Sequence, residues 1–135
     1  MAYTLVGDRA DWQVQKCLVA GAFAGVELRR CDLSMVAAES VSAVGSAGGV
    51  GGALPVLLLT ATTALSQSNA ILRFVARKNP GATLYGRTPE ESARVDQWLD
   101  FSQNELETAA AVLTYPVLGV AGAGQVGAAA TAAAT

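Results

Sequence analysis

The segment from Leu54 to Pro80, LPVLLLTATTALSQSNAILRFVARKNP, restricts the fold more than any other part of the chain. Its apolar run carries a proline near the start, where the missing amide donor does least harm to a sheet, so LPVLLL reads as a buried strand. TATTAL reads as a turn into a short returning strand. From about Gln67 to Arg77 the period becomes helical: Ile71, Leu72, Phe74 and Val75 form a broad apolar stripe, and the basic last turn meets a proline stop at KNPG. The polar Ser-Gln-Ser-Asn cluster at the mouth of this helix admits two readings. Either Ser66 or Ser68 caps the helix and Asn69 packs beneath it, or the free N–H groups of the first turn hold a carboxylate. The residues alone leave both open.

Upstream, Tyr3 to Val6 is a short run of strand formers closed by the turn residues Gly7 and Asp8. Trp12, Leu18, Val19, Ala22 and Phe23 share a helical face, with Asp11 as N-cap and Gly21 or Gly25 near the stop. VELRR, from Val26 to Arg30, alternates as a second strand, and a crossover helix between two strands makes them parallel neighbours. A short helix is expected over Met35 to Val44, then a mobile glycine-rich loop up to Ala53. The order is βαβ-α-ββα, the layout of a thioredoxin-like domain over residues 1–80.

Residues 81–87 read as a linker. Beyond it Thr88 is an N-cap, Pro89 stands at the first helical position, and Glu91 closes a capping box. Val95, Trp98, Leu99, Ser102, Leu106 and Ala109 recur at helical spacing, which predicts a helix of five turns or more with one packed face, ended or kinked at Pro116. Residues 88–135 therefore form the start of an all-α domain. Its tail, GVAGAGQVGAAATAAAT, is low in complexity and expected to be helical or disordered.

Composition narrows the chemistry. The 135 residues carry a formal charge of −2 and no histidine. Without a basic cluster, direct binding to nucleic-acid phosphates is not expected, since that affinity comes largely from counterion release. Cys17 and Cys31 make neither a metal spacing nor a disulfide framework, so no metal site is expected and a reduced, cytoplasmic setting is. The opening MAYTLVGDRADW is interrupted by charge before any long apolar run, and is read as neither a signal peptide nor a membrane span.

LPVL together with QSNAILRFVARKNP resembles the glutathione transferases, whose thioredoxin-like domain has a cis-proline before its third strand and a Glu/Gln-Ser pair opening its third helix. That resemblance implies glutathione-binding positions at Leu54, Pro55, Gln67 and Ser68. An active transferase also needs a Tyr, Ser or Cys just after the first strand. VGDRADW supplies none there, Tyr3 comes too early, and Arg9 favours a thiolate only if it points inward. No catalytic residue is assigned, and the site is expected to be vestigial or weak.

Trp12, Lys16, Leu18 and Ala20, followed later by ARVDQWLDFSQNEL and LTYPVLG, resemble the N-terminal transferase-like domain of the elongation factor 1 gamma family. By that resemblance a complete member would continue through several more helices, so the chain is expected to be a fragment of a longer protein. The implied role is a non-catalytic assembly module of the translation elongation complex, with protein subunits of elongation factor 1 as partners. The alternatives are a glutathione-dependent transferase or isomerase, and a module of an aminoacyl-tRNA synthetase complex. No cofactor is required, with glutathione the one small ligand implied. A homodimer is a further expectation, and neither direct nucleic-acid nor membrane contact is. Trp98, Phe101 and Tyr115 are the candidate partner contacts, because aromatics carry much of interface energy; for Trp98 a core position at helical spacing is the stronger expectation.

Overall fold

The computed structural model describes residues 2–48 and 54–118. The chain divides into two compact units, Met1–Arg87 and Thr88–Thr135.

In the first unit, strand β1 (Tyr3–Val6) leads through helix α1 (Trp12–Ala24) to strand β2 (Leu28–Cys31). A 3₁₀ turn at Leu33–Met35 precedes helix α2 (Ala38–Gly48), and strands β3 (Val56–Leu58) and β4 (Ala64–Ser66) lead into helix α3 (Ser68–Lys78). The four strands are ordered β2-β1-β3-β4. β1 and β2 are parallel, as the crossover helix requires, while β3 runs antiparallel to both β1 and β4.

The period-two alternation of strands decides which side chains meet which helices. Tyr3, Leu5 and Leu57 point to one face, where they pack with Val14, Cys17 and Ala24 of α1 and Ile71 and Val75 of α3. Val6 and Val56 point to the other face and pack with Val44 of α2. Leu72 and Phe74 are half-buried against the first cluster, so the apolar stripe of α3 is the one its sequence predicts.

Asp11 caps α1, its carboxylate accepting from the Gln13 amide at 2.8 Å. The helix stops at Gly25, which sits in the left-handed region at φ 66°. The Gly25 amide donates to the Ala22 carbonyl and the Val26 amide to the Gly21 carbonyl. This closure uses the Val26 amide, so β2 starts at Leu28 and not at the predicted Val26.

α2 also departs from expectation. The predicted Met35–Val44 helix is replaced by the 3₁₀ turn and by a helix that begins later and runs through Gly45 to Gly48. Burial of Ala43 and Val44 against the sheet outweighs the poor helix propensity of those glycines. The rest of the expected loop, residues 49–53, lies outside the described residues.

Residues 81–87 are not a free linker. Leu84 packs on the first cluster, and Tyr85 is buried with the Arg77 guanidinium 4.3 Å from its ring centre.

In the second unit, Thr88 caps helix α4 (Pro89–Phe101), its hydroxyl accepting from the Glu91 amide at 3.3 Å. The Glu90 carboxylate is held below its usual range by hydrogen bonds from its own backbone and the Thr88 hydroxyl. A π-helical turn, Ser102–Glu107, joins α4 directly to helix α5 (Thr108–Leu118). Helix α5 passes Pro116 by two residues, so the proline does not end it. Of the predicted packed face, Val95, Leu99 and Ser102 are half-buried, whereas Trp98, Leu106 and Ala109 are exposed. The expected tail from residue 119 lies outside the described residues. Among the described residues no helix is long and apolar enough to cross a membrane, and no group of acidic, Cys or His side chains is placed to hold a metal ion.

Two substitutions test this account. Asp11→Ala removes a cap and should lower the urea-unfolding free energy by about 1 kcal/mol. Gly21→Ala should cost more, about 1–3 kcal/mol, because its Cβ would stand 2.9 Å from the Leu28 side chain and 3.0 Å from the Val26 carbonyl. Equal losses would show that the close approach of α1 to β2 is not a constraint.

Candidate functional site

The pairing of β3 with β4 assembles the site. Val56 stands opposite Ser66 in the antiparallel ladder. Continuing that register by one step sets Pro55 across from Gln67, the residue that precedes Ser68 at the start of α3. The Leu54-Pro55 peptide is cis and Pro55 is fully buried.

Gln67 immediately precedes α3 and has φ 70° and ψ 114°, a backbone region that side chains with a Cβ rarely enter. Its side chain makes no capping hydrogen bond to the helix. Ser66 lies in β4 and Ser68 is already the first helical residue, so neither serine occupies the cap position. The start of α3 therefore has no side-chain cap, and an uncapped helix N-terminus is an arrangement that suits an anion.

Beneath this mouth the packing is polar and satisfied. Asn69 is buried and its Oδ1 accepts from Lys16 Nζ at 2.9 Å, as one of the two sequence readings expected of Asn69. The Lys16 ammonium also lies 5.6 Å from the Trp12 ring centre. The link from Lys16 to α3 was not anticipated; Trp12 and Lys16, four apart on one helix face, were its only local sign. Cys17 is fully buried under the same helix start, with its Sγ 3.8 Å from the Ser68 carbonyl. Burial pushes the Cys17 thiol up to about 12, so it stays protonated and inert. Cys31, at the end of β2, is half-buried, and desolvation raises its thiol as well.

The turn after β1 is a different matter. The Gly7 amide donates to the Cys31 carbonyl, and Arg30 Nη1 donates to the Gly7 carbonyl at 3.1 Å while pairing with the Asp32 carboxylate. That hydrogen bond raises the Arg30 guanidinium above its usual range and holds the Asp32 carboxyl below its own. Asp8 Oδ1 accepts from the Ala10 amide, an Asx turn that fixes the carboxylate locally. Arg9 is exposed. No hydroxyl or thiol stands in Gly7–Ala10, and the first position could not easily carry one. A Cβ on Gly7 would lie 2.6 Å from Cγ2 of the fully buried Val14. This steric closure is invisible in the sequence, where Gly7 reads only as a turn residue.

Of the predicted partner contacts, Trp98 is 69% exposed and so not a core residue. Phe101 is also exposed, and the two rings meet edge to face with centroids 5.8 Å apart. Helical spacing alone could not tell this face from a buried one. The side chain of Tyr115 lies outside the described part of the structure.

Gly7→Ser should lower the thermal midpoint, since the new Cβ must displace Val14; an unchanged midpoint would mean that the turn has room for a nucleophile. Thiol titration with an aromatic disulfide should label Cys31 alone in the native chain and Cys17 only in denaturant. Gln67→Gly should raise the unfolding free energy by about 1 kcal/mol, by releasing backbone strain; a loss of similar size would show that the glutamine side chain holds more than its backbone costs.

No protein-family profile matches the chain. In sequence it is 52% identical over 54 residues to elongation factor 1-gamma of Trypanosoma cruzi, a match covering 39% of this chain and 13% of that protein. It is 30% identical over 121 residues to elongation factor 1-gamma 2 of Oryza sativa subsp. japonica, covering 90% of this chain and 29% of that protein. Among solved structures, the theta-class glutathione S-transferase of Xanthomonas axonopodis pv. citri, with glutathione bound, superposes with a TM-score of 0.67 at 26% identity, over 84% of this chain and 54% of that one. The chain thus spans under a third of these curated relatives and about half of the transferase. With its cis-proline edge, its sheet order and these likenesses, the chain is a glutathione-transferase-like domain of thioredoxin-like fold whose sequence is similar to elongation factor 1-gamma.

Proposed function

We propose that the chain is a non-catalytic assembly module of the elongation factor 1 complex, acting in the cytoplasm by binding the complex's protein subunits. The observation that carries the non-catalytic reading is the closed turn after β1. A transferase must hold a thiolate there, and Gly7 is pressed against Val14 with no hydroxyl or thiol alongside. The likeness to elongation factor 1-gamma supports the choice of complex over a synthetase assembly.

The other half of the site favours a second, weaker property. The Leu54-Pro55 edge and the mouth of α3 at Gln67 and Ser68 suit the backbone and the γ-glutamyl carboxylate of glutathione. We read this as residual binding without activation of the thiol.

The two halves separate experimentally. The purified chain should be retained by purified elongation factor 1 subunits and should not accelerate the reaction of glutathione with an aryl halide above the solution rate. Glutathione-agarose should retain it weakly, and Ser68→Ala should abolish that retention while leaving subunit binding intact. Turnover that Ser68→Ala removes would establish a transferase instead.

A further inference from the structure

We draw no further inference here: the strongest candidate, the exposed apolar face of α1 at Val19 and Phe23, carries nothing, because nothing in the structure shows what covers it.

Discussion

The structure depends on the burial of β1 at the centre of the sheet. Leu5 pairs with Leu57 across the antiparallel ladder, and both are removed from water beneath α1 and α3. Val6, the next residue, is equally buried on the opposite face with Val56 and Val44. Alternation within one short strand therefore ties helices to both faces of the sheet, and a slip of one residue would turn every one of these side chains to the wrong side. At about 25 cal/mol per Å² of apolar surface, such burial is the largest favourable contribution available to a domain of this size.

The same arrangement places the site. Because β1 is held against β2 by parallel pairing and against β3 by antiparallel pairing, its C-terminal turn and the cis-proline edge before β3 emerge at the same end of the sheet. The hairpin β3–β4 then delivers α3 to that edge. One side of the site thus keeps a helix mouth suited to a carboxylate, while the other is closed by Val14 and locked by the pairing of Arg30 with Asp32.

Much of this was legible in the residues. Asp11 and Thr88 cap the helices their side chains announced, because capping is a local hydrogen bond set by neighbours in sequence. The apolar stripe of α3 and the order of strands followed from periodicity in the same way. The starts of β2 and α2 did not. The first was moved by the hydrogen bond of Val26 to Gly21, the second by packing of Val44 against the sheet, and both depend on contacts that propensity does not contain. The π-helical turn left no trace in a pattern read at a single helical period.

By itself the sequence determined the order of strands and helices and which residues cap α1 and α4. These depend on interactions between residues a few places apart, or on a pattern that repeats along one element. Only the tertiary structure decided that Gly7 has no room for a side chain, that Lys16 reaches Asn69, and that Trp98 faces outward. Each of those is settled by what stands opposite a residue in space, and a one-dimensional spacing is the same whether that neighbour is a buried valine or water.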